Sequence, residues 1–170
     1  FGQVADRSTL QAGLQALLPD GLDGYGHGTH LAGIIAGRSD KANKGIASGA
    51  RLISLKVGAS NGAVDVSQVI AAIDWVVTHR RSDGLNVRVI NLSYGTDGVQ
   101  PYQLDPLTHA VESAWRNGIV VVTAAGNTGA ALTNPATDPT AITVGAADLK
   151  SPLLAADDTV ATFSSVGSSA

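Results

Sequence analysis

The chain contains no cysteine and no methionine, and its aromatic residues are few: two Phe, three Tyr and two Trp in 170 residues. Without cysteine there are no disulfides and no thiolate metal sites, and the redox compartment goes unread. With so few aromatics the core has to be aliphatic. Charge is also sparse, at 15% of residues with a formal net charge of −3. No dense basic run exists, which excludes the footprint of a nucleic-acid binder. No apolar run approaches the roughly 20 residues of a membrane helix. A secretory leader is missing too. That absence carries little weight, because the chain opens on Phe1 rather than Met.

What is present describes a packed domain. Hydrophobic residues make up 44% of the chain, and the length suits a single domain. Twenty glycines among many alanines imply tight turns and close-packed helices.

Apolar runs alternate with amphipathic stretches. Residues 51–57 read as a strand and 67–80 as a helix, with Val66, Val69, Ile70, Ile73, Val76 and Val77 at helical spacing. Residues 87–93 read as the next strand, and about 105–116 as a second helix stopped by Asn117-Gly118. Residues 118–125 and 141–145 read as continuous aliphatic strands. Such strands separated by helices predict a mainly parallel, doubly wound sheet covered on both faces, an α/β/α three-layer fold. Residues 28–37 read as a buried helix whose first turn holds His27 to His30. The segments before about residue 21, between 38 and 49, and after 151 read as loops. In sheets of this kind ligands sit beyond the carboxyl ends of the strands. Ser93-Tyr94-Gly95 and Gly126-Asn127 lie at two such ends.

His27, between Gly26 and Gly28, is sterically open on its approach side. A neutral imidazole there can accept a proton from a nucleophile. The helix N-terminus disfavours the imidazolium, so such a base needs a carboxylate at its other nitrogen. Taken alone, a histidine in this place reads as a capping or packing residue. A His27-x-x-His30 metal pair has only Asp23 as a further ligand.

The order of His27-Gly28-Thr29-His30, then Asn91-Leu92-Ser93-Tyr94-Gly95, then residues 120–127 resembles that of the subtilase family of subtilisin-like serine proteases. His27-Gly28-Thr29-His30 before a small-residue helix is similar to that family's histidine motif. Asn91-Leu92-Ser93-Tyr94-Gly95 is similar to its substrate-binding strand end, and residues 120–127, ending Ala124-Ala125-Gly126-Asn127, to its oxyanion motif. Thr143-Val144-Gly145-Ala146 and Phe163-Ser164-Ser165-Val166-Gly167 resemble the later strand and the approach to the nucleophile. Any one match is weak; five in order are strong.

The resemblance implies a single partial catalytic domain: an irregular lead-in over 1–22, a family-like core over 23–167 and a short end at 168–170. It implies His27 as general base and Asn127 as side-chain donor to the oxyanion, with His30 structural. Ser93, Tyr94 and Gly95 would receive an extended peptide or protein substrate by strand addition. Ala124, Ala125 and Gly126 would wall the pocket for the residue before the cut, which their small size suits to a large apolar side chain. Gly58 to Gly62 would flank a more distant subsite or simply form a turn. A secreted enzyme with a propeptide in the parent fits the family, and neither nucleic acid nor membrane is an expected partner.

The chain also departs from the family. No Asp-Ser/Thr-Gly turn supplies the triad acid: Asp6 precedes Arg7-Ser8, Asp20 sits in a Pro19-Asp20-Gly21 turn, and Asp23 caps or precedes the helix. No Gly-Thr-Ser-x-Ala segment supplies a nucleophile, and Ser164 and Ser165 match a structural segment. Truncation at both ends is the expectation, with the 170 residues inactive by themselves and only marginally stable. A non-catalytic peptide-binding module of the same fold is the alternative. No metal or other cofactor is expected. Asp40 and Asn43 could offer calcium oxygens, but Arg38, Lys41 and Lys44 repel the ion, and residues 134–139 lack decisive ligand spacing. A dinucleotide site at 125–130 lacks the first glycine of the phosphate-binding turn.

Overall fold

The structure, a computed structural model, describes residues 23–38, 44–98, 100–150 and 155–167. The chain divides into two units, residues 1–72 and 73–170.

The first unit opens on helix α1, His27–Ala36. Gly26 enters it with φ 85°, a left-handed turn natural to glycine. The missing side-chain cap at Gly26 is replaced from Asp23, which accepts from the amides of Gly26 (2.8 Å) and Thr29 (2.7 Å). After α1 the chain folds back along its end. Ile46 donates to the Ile34 carbonyl and Ala47 to that of Ile35. Gly45 has to be glycine here, since a Cβ would lie 2.5–2.8 Å from backbone atoms of Ile35, Ala36 and Gly37.

Two expectations for this unit change. No residue of α1 is buried, and Ile34 is 53% exposed. Residues 51–57 form no strand, and Leu52 and Ile53 are exposed. A strand exists only through its ladder, and this segment pairs with no other described strand. Gly58 and Val64 do pair across a tight antiparallel turn, closed by Ala59 N–H to Ala63 O and by Gly62 at φ 84°. Residues 58–62 therefore lie in a tight turn.

Helix α2, Val66–His79, crosses the division between the units. Asp65 accepts from the Ser67 amide and hydroxyl at its start. Its buried residues Val69, Ile73 and Val76 follow the i, i+4, i+7 stripe of an amphipathic helix.

The second unit holds the sheet. Strand β1 (Val89–Leu92), helix α3 (Pro106–Arg116), strand β2 (Val120–Ala124) and strand β3 (Ile142–Val144) follow in order. The sheet order is β1-β2-β3, parallel throughout, with Leu92 beside Thr123 and Ala124 beside Val144. A short antiparallel pair, β4 (Ala147–Asp148) and β5 (Thr159–Val160), follows.

Helix α3 shows why this unit is well packed. Asp105 caps it through the Thr108 amide, Pro106 occupies the first turn, and Gly118 at φ 74° ends it. Leu107, Ala110, Val111 and Ala114 form a buried stripe, and the helix packs against β2. With Ile119, Val121 and Leu92 they make an aliphatic core. Each large buried side chain contributes about 1.5–3 kcal/mol over its exposed state. Along β2, Val121 and Thr123 are buried, whereas Val120 is exposed, as are Val89, Ile142 and Val144 on the neighbouring strands. The parallel α/β architecture is as predicted, with that second sheet face open among the described residues.

Candidate functional site

Two groups of candidate residues come together at the carboxyl edge of the sheet. β1 and β2 run parallel in a register that pairs Leu92 with Thr123. Ser93 to Gly95 and Ala125 to Asn127 therefore leave the sheet side by side.

Each exit is tied down. After β1, the Asn91 side-chain Nδ2 donates to Ser93 Oγ (3.0 Å), and Thr96 donates its N–H to the Asn134 carbonyl (2.9 Å). Asn134 is buried and donates from its side chain to Gln100 O (3.0 Å). Gln100 in turn donates to the Asp105 carboxylate that caps α3 (2.6 Å). The strand end that would receive a peptide is thus linked to the helix start. Ser93 and Tyr94 are half-buried and Gly95 is exposed.

After β2, the buried Ala125 donates to the Val144 carbonyl (2.9 Å), extending the ladder by one residue. Gly126 then turns the chain at φ 113°. Its carbonyl accepts from the Ser165 amide at 3.0 Å. Asn127 follows and is exposed, a neutral carboxamide at the open end of a Val-rich strand. A group so placed can donate an N–H to negative charge developing on a carbonyl oxygen.

His27 belongs to the first unit, where it is the first residue of α1 and exposed. Asp23 lies four residues before it, but both carboxylate oxygens are engaged by Gly26 and Thr29. The Thr29 amide and hydroxyl, then the Gly26 amide and the Lys56 charge, hold the Asp23 carboxyl below its ordinary value of 3.8. Asp23 is the helix cap that the sequence suggested, and it neutralises the free N–H groups of the first turn. His30, one turn on, donates its amide to Gly26 O and is exposed rather than packed.

Among the described residues no three His, Asp or Glu side chains gather as metal ligands. Asp6, Asp20, Asp40 and Asn43 lie outside the described residues. Among the described residues, a surface depression of about 420 Å³ is lined by Trp115, Gly118 and their neighbours at the amino end of β2, away from Asn127.

Sequence reasoning missed the tethers. Thr96, Thr128, Asn134 and Ser165 support the candidate residues across long stretches of chain. The only signal was the Phe163-Ser164-Ser165 motif, read as structural. Both serines are indeed buried.

The family model described as the subtilase family, peptidase S8, matches residues 18–170. The chain is similar to the serine protease AprX of Bacillus subtilis, 36% identical over 154 residues that cover 85% of this chain and 35% of AprX. It is similar to subtilisin-like protease 2 of Pseudogymnoascus destructans, 42% identical over 148 residues covering 86% of this chain and 32% of that protein. Among solved structures, sphericase superposes with a TM-score of 0.71 at 31% identity, over 84% of this chain and 46% of that one. The chain thus spans about a third of the length of these two curated relatives. The family model spans nearly all of the sequence and the fold is that of subtilisin-like proteinases: the chain belongs to the subtilase family.

Proposed function

We propose that this chain carries the general base and the oxyanion donor of a serine endopeptidase that cuts peptide bonds through an acyl-enzyme. His27 takes the proton of the attacking serine and returns it to the leaving amine. Asn127 donates to the alkoxide that forms in the transition state more strongly than to the ground-state carbonyl, so it lowers the barrier instead of merely tightening binding. The substrate is an extended peptide or an unfolded protein segment. It pairs through its main chain with Ser93, Tyr94 and Gly95, and the small residues Ala124, Ala125 and Gly126 leave room for a large apolar side chain before the cut. Secretion and a propeptide belong to the same reading by likeness to the family.

The observation that carries this reading is the parallel register of β1 and β2. That register brings Ser93 to Gly95 alongside the turn that carries the exposed Asn127, which supports the reading. Residues 1–170 hold no Gly-Thr-Ser-x-Ala segment and no Asp-Ser/Thr-Gly turn. By themselves they therefore bind and polarise but do not hydrolyse.

Treatment of the purified full-length protein with a serine-reactive fluorophosphonate, alongside a peptide-hydrolysis assay, tests the proposal. Labelling and hydrolysis are expected, and His27→Ala should abolish both. A correctly folded protein that neither labels nor hydrolyses would overturn it in favour of a peptide-binding module. Hydrolysis by the isolated 170 residues that vanishes in His27→Ala would overturn the assignment of the missing groups.

A further inference from the structure

Asn127 is exposed, so the direction of its carboxamide depends on how the chain is held on either side of it. Both neighbours are held by one residue. The Ser165 amide donates to the Gly126 carbonyl (3.0 Å), and the Ser165 hydroxyl lies 3.1 Å from the Thr128 hydroxyl. Ser165 is 4% exposed, which removes it from consideration as a nucleophile.

The fit around this residue is close. A Cβ on Gly126 would lie 2.8 Å from Ser165 Oγ, and one on Gly129 would lie 2.7 Å from the Thr162 carbonyl. Gly129 donates to Phe163 O (2.8 Å) and Val166 to Ala130 O (3.1 Å), so the turn is laid along residues 163–166 rung by rung. Ser165 is itself fixed from the sheet. The Ser164 hydroxyl accepts from the Ala146 amide (3.0 Å) and donates to the Ser165 carbonyl (3.2 Å). It occupies the space beside Gly145, where a Cβ would come within 2.8 Å.

We propose that Ser165 is a positioning residue for the oxyanion donor: by clamping Gly126 and Thr128 it fixes where the Asn127 carboxamide points. This rests on the protease reading given above. A donor acts on the transition state only when aimed at the place the alkoxide will occupy, and a misplacement of about 1 Å can cost about 100-fold in rate.

The test uses steady-state peptide hydrolysis by the full-length protein. Thr128→Val keeps the side-chain shape at an exposed position and removes the hydroxyl that Ser165 meets. It should lower kcat about tenfold with KM within about twofold, as should Ser165→Ala, while Thr128→Ser keeps the wild-type rate. In an Asn127→Ala background, Thr128→Val should have no further effect on kcat, because the donor it positions is gone. The proposal is overturned if Thr128→Val changes kcat equally in both backgrounds, acts through KM alone, or changes nothing. A wild-type protein without peptidase activity defeats the protease reading alone. The clamp is then judged by amide exchange in the full-length protein, where Thr128→Val should speed exchange at Ser165 and Gly129 about tenfold. Unchanged exchange there overturns the clamp.

Discussion

Helices α1 and α3 begin alike and end up in different states. Each is about three turns long, and each has its first turn capped by an aspartate: Asp23 for α1, Asp105 for α3. The sequence of α1 is the more uniformly apolar, with Leu31, Ile34 and Ile35 among alanines and glycines. Yet α1 buries no residue, whereas α3 buries five. The difference lies beyond the helices. α3 has β2 to pack on, and β2 is held on both sides by β1 and β3. The segment that follows α1, residues 51–57, enters no ladder. Local sequence suffices to start and cap a helix; a packed face requires another element to receive it, which for α3 is the paired strand β2. The two candidate functional groups inherit this difference. Asn127 stands on a turn braced by the core, and His27 on a helix held by its cap and by the main-chain bonds of residues 45–47.

Replacing Asn127 produces the largest effect that bears on this contrast. In the full-length protein Asn127→Ala should lower kcat about 10²–10³-fold, the scale known for the oxyanion-hole asparagine of subtilisin itself. KM and thermal stability should stay near wild type, because the side chain is exposed and the turn is held by Ser165. A large loss of stability in thermal unfolding would show that the carboxamide is part of the brace, and the distinction between braced turn and presented donor would fall.

The contrast in packing is sharpened by two side-chain truncations in the full-length protein. Leu107 is fully buried on α3, and Leu107→Ala should cost about 2–5 kcal/mol. Ile34 on α1 is 53% exposed, and Ile34→Ala should stay within about 0.5 kcal/mol. Urea unfolding curves measure both. Similar costs for the two would mean that α1 is packed in solution as α3 is.

Much of the second unit was legible in the sequence. The bounds of α3, about Asp105 to Arg116, and its Asn117-Gly118 stop lie within one stretch of chain, and the structure reproduces them within a residue or two. The aliphatic runs of β1, β2 and β3 likewise announced a parallel sheet, although each ladder is shorter than its run. Residues 51–57 look no different as a run, but whether a run becomes a strand depends on a partner elsewhere. The burial of α1 was misread for the same reason. In the candidate site, the strand ends and Asn127 were visible because they terminate recognisable elements. The bonds from Thr96 to Asn134 and from Ser165 to Gly126 and Thr128 were not, since they join loops far apart in the chain and follow no periodicity.

The smallest expected effect isolates the cap on which His27 rides. Hydrogen bonds from Thr29 and Gly26, with the Lys56 charge, hold the folded-state pKa of Asp23 below 3.8. A depressed carboxyl contributes stability that is fully present above the unfolded value and is lost as pH falls through the folded one. Helix α1 should therefore keep its first turn down to about pH 4 and fray only below 3.8, as the carboxyl takes up its proton. The amide resonances of Gly26 and Thr29 should titrate together with a midpoint below 3.8, and Asp23→Asn should remove that titration. The amides of α3, whose cap belongs to the packed unit, should not follow the same curve. A midpoint at or above 3.8 for Thr29, or an unchanged titration in Asp23→Asn, would show that the carboxylate does not hold the histidine's helix.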